Sequence, residues 1–303
     1  MKLIPVETPQ DFLVAQQFIE PYEETCVSLA SLVRRKSDKL VFISSFEKPA
    51  VEALETTATC STTEATILGI LNLDSTIYHC IPNPALIDAD ELSENLNYLI
   101  KKQIRCISGE STATDFLVSV TNKLTNDSSL IITLKQIYYY KMMKWSNTAV
   151  VSRASTTGEL SGGEEIIRCT EHDMEILHPL QKDYMKDEVA VPGRPITDAE
   201  VDISLRQILK NQLCFALTVD GDIVAKANTN AIGINKVQIG GVYTHPLYRR
   251  NGYAAALVTA LSNRALRSGK QPVLFVKEKN KPAFSLYQKI GFEECGRYAI
   301  AYY

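Results

Sequence analysis

Residues 237–269, VQIGGVYTHPLYRRNGYAAALVTALSNRALRSG, constrain the fold more than any other stretch of this chain. They open with strand alternation, Val237, Ile239 and Gly241 against Gln238, Gly240 and Val242, and break at Pro246. From about Asn251 the pattern turns helical. Ala254, Leu257, Val258, Leu261 and Ala265 recur at helical spacing, Arg264 and Arg267 stand near the end, and Gly269 supplies the stop. Between strand and helix lies Arg249-Arg250-Asn251-Gly252-Tyr253-Ala254. Gly252 lets a ligand approach the backbone closely. The first helical turn leaves N–H groups unpaired and carries about half a positive charge, which suits a phosphate or pyrophosphate. The two arginines add charge, although an ordinary solvated turn contains arginines too.

A second block follows at 280–292, NKPAFSLYQKIGF. With Arg249-x-x-Gly252-x-Ala254 it resembles the paired motifs of the GCN5-related N-acetyltransferases, (Gln/Arg)-x-x-Gly-x-(Gly/Ala) and Asn-x-x-Ala-x-x-x-Tyr-x-x-x-Gly-Phe. The resemblance covers residues 164–303. It implies an acyl-CoA N-acyltransferase fold, with the turn holding the pyrophosphate of acetyl-CoA. It also implies that Val242, Tyr243 and Thr244 line the pantetheine arm on a splayed strand, with one main-chain N–H on the thioester oxygen. Asn280 resembles the family's cofactor-contacting asparagine, and an N-cap would look the same in the sequence. Tyr287 is the phenol expected beside the coenzyme's sulfur as a hydrogen-bond donor or general acid. A packing tyrosine is the alternative, since Phe284, Ile290 and Phe292 are core residues. Gly240-Gly241 reads either as the bulge that opens the strand or as relief of crowding against a neighbour.

At 303 residues the chain is long enough for two domains. With 45% hydrophobic and 22% charged residues it reads as soluble, and a net charge of −3 gives no electrostatic reason to expect nucleic acid or an anionic membrane. Seven widely spaced cysteines without a Cys-x-x-Cys pair read as reduced core thiols of a cytoplasmic protein with no metal site. The opening MKLIPVETPQDF, broken by Pro5 and Glu7, reads as no signal segment.

Taken in order, residues 10–36 suggest one or two helices, 40–46 a strand, 65–81 two strands joined near 72–75, and 89–102 a helix. A strand at 104–108 enters a helix at 112–124, and 130–143 reads as a strand or a pair of strands. The composition then turns to Ser, Thr and Gly over 146–163, which reads as a linker between an N-terminal domain at 1–145 and the acetyltransferase domain at 164–303. The second half reads as a strand at 165–169 and two helices, the second with a Thr197/Glu200 capping box. A hairpin across Asp220-Gly221 comes next, then the central unit, a buried strand at 273–276, the 281–290 helix and a terminal strand pair. The fold class is therefore α/β with a mixed sheet. The strand–helix–strand series 104–143 parallels that of 273–303, so the first domain is either a degenerate copy of the second or alike by chance. The layout also resembles glycine N-acyltransferase-like and other tandem members.

Acyl transfer from a thioester needs a held cofactor, a stabilised thiolate and a neutral amine. A lysine-like amine is neutral in roughly one molecule in two thousand at pH 7, so a base is required. Asp187, Glu188, Asp198, Glu200, Asp202 and His245 are candidates, and the sequence does not choose among them. The expectation is acetyl transfer from acetyl-CoA to a small-molecule or peptide amine. The rival is a non-catalytic acyl-CoA sensor, whose mark would be a degraded turn or a missing tyrosine. Both features are intact here. Acceptor identity and oligomeric state are not legible.

Overall fold

The computed structural model describes residues 1–45, 66–99, 104–124, 133–146, 158–159, 163–190 and 194–303. Two compact units emerge: 1–140 with 296–303, and 141–295. Most of the expected linker lies outside the described residues.

In the first unit, β1 (Lys2–Pro5) is followed by α1 (Pro9–Ile19), α2 (Val27–Arg34), β2 (Leu40–Ser44), β3 (Ile67–Asn72) and β4 (Thr76–Cys80). Then come α3 (Ala89–Leu99), β5 (Cys106–Glu110), α4 (Ser111–Lys123) and the start of β6 (Gln136–Trp145). α1 begins with a capping box in which Thr8 and Asp11 serve each other's backbone N–H. The sheet runs β1-β2-β3-β4-β5 and is continued by the end of β13 (Phe292–Tyr302). β13 pairs antiparallel with β5 from Tyr298/Glu110 to Tyr302/Cys106. The expected terminal strand pair is thus one strand, with Gly296 inside it. Its tail is anchored: Tyr298 Oη lies 2.8 Å from Ser108 Oγ and Tyr303 Oη 2.6 Å from Thr121 Oγ1, both pairs buried. β1 was not expected. Its Pro5 is tolerated because the strand lies at the sheet edge, pairing with β2 alone.

His79, on β4, is fully buried. Its Nε2 sits 2.8 Å from Thr114 Oγ1, and its Nδ1 has no partner among the described residues. A Cβ at Gly109 would come within 2.3 Å of the ring, so β5 passes here only as glycine.

The second unit holds the rest of β6, then β7 (Gly158–Glu159), β8 (Glu164–Arg168), α5 (Met174–Tyr184) and α6 (Asp198–Asn211). β9 (Cys214–Val219), β10 (Asp222–Ile232), β11 (Lys236–Thr244), α7 (Tyr253–Arg267), β12 (Gln271–Lys277) and α8 (Lys281–Lys289) follow. Its sheet order is β6-β12-β11-β10-β9-β8-β7. Asp220 and Gly221 both have positive φ, 51° and 94°, as a two-residue hairpin between β9 and β10 requires. Alternation along the strands splits the core in two. Phe215, Leu217, Ala227 and Ile239 pack with Leu257, Val258 and Leu261 of α7. Cys214 and Ala216 pack with Leu177 of α5 and Val201 and Leu205 of α6. Each face is covered by its own helix pair.

Candidate active site

β11 and β12 pair in parallel only from Lys236/Gln271 to Ile239/Leu274, yet β11 runs on to Thr244 and β12 to Lys277. Beyond Ile239 and Leu274 the two strands part. On its other side β11 stays on β10, but the register slips: Lys226 faces Tyr243 and Asn228 faces Gly240. Two residues, Gly241 and Val242, therefore stand in β11 with only Ala227 between those pairs on β10, which is a bulge. Gly241 has φ of 58°, a conformation that glycine adopts without strain. Crowding acts there as well. A Cβ on Gly241 would lie 1.9 Å from Asn228 Oδ1, and one on Gly240 2.1 Å from Asn230 Nδ2. Both readings of the glycine pair hold.

The turn after β11 is built by backbone. Arg250 and Gly252 have φ of 71° and 84°, and Asn251 Nδ2 donates to the Tyr248 carbonyl at 3.2 Å. Gly252 is the N-cap of α7, with no side-chain cap and nothing within 4 Å of the position of a Cβ. The first-turn N–H groups of α7 thus meet no capping side chain. Arg249 Nε donates to the Thr244 carbonyl at 3.1 Å, and its Nη2 lies 3.7 Å from Asp187 Oδ2. Arg249, Arg250 and Asn251 are exposed, and Ala254 is half-buried one position into α7. Tyr253 turns its side chain inward to Glu164, 2.7 Å from Oε1, so only its main chain faces the turn. The hydroxyl of Thr244 and the Nδ1 of His245 are buried at the end of β11 without a partner among the described residues.

On the far side of the opening, Asn280 caps α8, its Oδ1 accepting from Ala283 N at 3.2 Å. Tyr287 is 7% exposed, with its ring 6.2 Å from that of Phe292 in an edge-on contact. Burial, with Tyr184 and Glu188 nearby, raises its phenol well above the ordinary value. Its hydroxyl is protonated at neutral pH.

α5 ends in a π-helical turn, Met185–Val189, a departure from α-helix that no residue pattern in the sequence marks. Such turns recur at functional sites. This one reaches both parted strands. Asp187 Oδ2 accepts from Tyr243 Oη at 2.8 Å on β11, and Lys277 Nζ on β12 lies 3.0 Å from Glu188 Oε2. Burial and the Asp187 carboxylate push the Tyr243 phenol up to about 12. The other candidate carboxylates hold structure together. Glu200 caps α6 through Thr197, Asp198 pairs with Lys182 at 2.6 Å, and Asp202 lies 3.4 Å from His178. Among the described residues no group of three or more His, Cys, Asp or Glu could hold a metal ion, and no helix is long and apolar enough to cross a membrane.

The structure also assembles residues that were not singled out as site candidates. Lys226, entirely buried, donates from Nζ to Asn228 Oδ1 at 3.1 Å and to the Gly241 carbonyl at 3.0 Å. Its ammonium stands 4.8 Å over the Tyr184 ring, and Gly241 makes a backbone hydrogen bond to the Tyr184 phenol.

The family model described as FR47-like protein matches residues 221–300. A solved Drosophila melanogaster protein is 13% identical, with 99% of this chain and 98% of that one covered, at a TM-score of 0.62. An acetyltransferase of the GNAT family from Colwellia psychrerythraea is 9% identical, with 100% and 99% covered, at a TM-score of 0.52. No curated protein sequence matches this chain. The whole chain, first unit included, has a mixed α/β fold of the acyl-CoA N-acyltransferase type.

Proposed function

We propose, from a C-terminal segment that is GCN5-related N-acetyltransferase in type, that this chain transfers an acetyl group from acetyl-CoA to an amine. One observation carries the reading. β11 bulges at Gly241 and parts from β12 just ahead of an open helix N-terminus at Gly252. A slot for an extended arm and a seat for its phosphates are thereby continuous along the backbone.

Residues 249–254 take the pyrophosphate, through the N–H groups of the first turn of α7 and the charges of Arg249 and Arg250. Val242, Tyr243 and Thr244 take the pantetheine amides where β12 no longer pairs with β11. The Val242 N–H faces the thioester oxygen, and a placed donor of this kind contributes about 3 kcal/mol to stabilising the tetrahedral intermediate. Asn280 keeps its Oδ1 on the α8 cap and offers its amide N–H to the cofactor. Tyr287, whose hydroxyl stays protonated, supplies a proton to the departing thiolate. Asp187 and Glu188, on the π-helical turn, are the carboxylates nearest the amine's approach. Both are already held by partners, so the proton is passed through water or through Tyr243.

Release of free thiol from acetyl-CoA across a panel of amines, amino acids and peptide N-termini tests the reading. Acceptor-dependent release is expected. Cofactor binding without release for any acceptor would favour a sensor.

A further inference from the structure

Lys226 is a lysine where a protein core ordinarily admits none. It is fully buried and has no carboxylate partner among the described residues. Its three donors are met by Asn228 Oδ1, the Gly241 carbonyl and the face of Tyr184. Burying an ammonium is costly without such partners. The partner that matters is Gly241. The bulge takes this carbonyl out of the regular β10–β11 ladder, so a side chain must serve it.

Resting on the acyl-transfer reading, we infer that Lys226 is a positioning residue for that step: it holds the Gly241 carbonyl so that the Val242 N–H points into the opening between β11 and β12. The Gly241 oxygen and the Val242 N–H belong to one planar trans peptide, and no cis peptide bond occurs among the described residues. In such a plane the two groups point in opposite directions. The oxygen is turned to the Lys226 ammonium, which stands beside Tyr184, so the N–H of the same peptide is turned away from both. Beyond Leu274, β12 no longer pairs with β11. A cation on the oxygen also polarises the same peptide and strengthens its N–H as a donor. Tyr184 grips the preceding peptide through the Gly241 N–H, so the bulge is fixed on both sides. Other ionisable groups facing Lys226 are Cys214 on β9 and Cys169 beside it, and burial holds the ammonium's pKa below the ordinary lysine value.

The test compares the whole chain with its Lys226→Met and Lys226→Gln variants. Hydrogen exchange across 239–244, coenzyme A affinity and the rate of thiol release are measured for each. Removing an oxyanion donor outright costs about a hundredfold or more, so losing the group that aims it should lower kcat about tenfold to a hundredfold. Coenzyme A affinity should stay within about threefold, which separates a transition-state effect from a binding one. Exchange at the bulge should quicken. Lys226→Gln, which keeps an N–H donor without charge, should fall between wild type and Lys226→Met. The wild-type rate should also decline at alkaline pH on a limb that the Met variant lacks. Unchanged kcat with unchanged exchange in a folded Lys226→Met protein would overturn the inference. If Lys226→Met does not fold, Lys226→Gln with wild-type rate and exchange would do the same. Should wild type release no thiol with any amine, the acyl-transfer reading fails, and exchange at 239–244 still decides whether Lys226 holds the bulge.

Discussion

Tyr287 lies in the core and within reach of Tyr184 and Glu188, so packing and chemistry both have a claim on it. Replacing it with phenylalanine separates them. The ring contact with Phe292 survives and ring volume is conserved, so the melting temperature should barely move. If the hydroxyl protonates the thiolate, kcat should fall about a hundredfold with cofactor affinity little changed. Full turnover by Tyr287→Phe would leave it a packing residue. Gly252 is a second single-residue test. Nothing lies within 4 Å of where a Cβ would stand, so the first cost of Gly252→Glu is the φ of 84°, a strain of about 1–2 kcal/mol, and the second is the cofactor's phosphates. Coenzyme A affinity should drop several-fold or more while the protein remains folded, and calorimetry reads both. Residues of this kind were legible because each sits in a short stretch with its own local signal. Lys226 was not. In the run Ala225-Lys226-Ala227-Asn228 it looks like the solvent side of a strand, and its decisive partner is a carbonyl on the neighbouring strand.

Among the elements, those with local punctuation were readable: the Thr197 capping box, the Asp220-Gly221 turn and the α7 stop at Gly269. The π-helical turn at Met185–Val189 left no such mark, since one displaced hydrogen bond per turn changes no residue pattern. Nor did the packing of β4 against β5 and α4 at His79. Burial pushes that imidazole down to about 3, so the folded chain keeps it neutral where the unfolded chain takes up a proton. This contribution is complete above pH 6.5 and is lost as pH falls toward 3. The slope is up to about 1.4 kcal/mol per pH unit, or about 2–3 kcal/mol between pH 6.5 and 4.5. Urea unfolding at several pH values should show this slope in wild type and a shallower one in His79→Gln. Identical slopes would mean that other groups govern acid stability.

At the scale of the whole molecule, the two units do not divide at a single point in the sequence. Residues 296–303 fold with the first unit and 141–145 with the second. Composition located a Ser/Thr/Gly-rich stretch at 146–163, but no local pattern says which sheet a strand will join, because pairing is decided between segments far apart in sequence. Ending the chain at Cys295 should therefore harm the unit it is remote from. It removes Tyr298, Ala299, Ala301 and Tyr303, all buried, and the antiparallel partner of β5. Thermal unfolding followed by limited proteolysis should show cleavage gathering within 1–140. A truncated chain with an undiminished transition and an intact 1–140 fragment would contradict this.

The same arrangement bears on the order of events at the ribosome. Domains usually settle one after another as they emerge, the earlier finished before the later is made. Here the N-terminal unit waits for a closing strand translated after every residue of the second unit. Until that strand is made β5 stands with an open edge, and the unit begun first is closed after the one begun second.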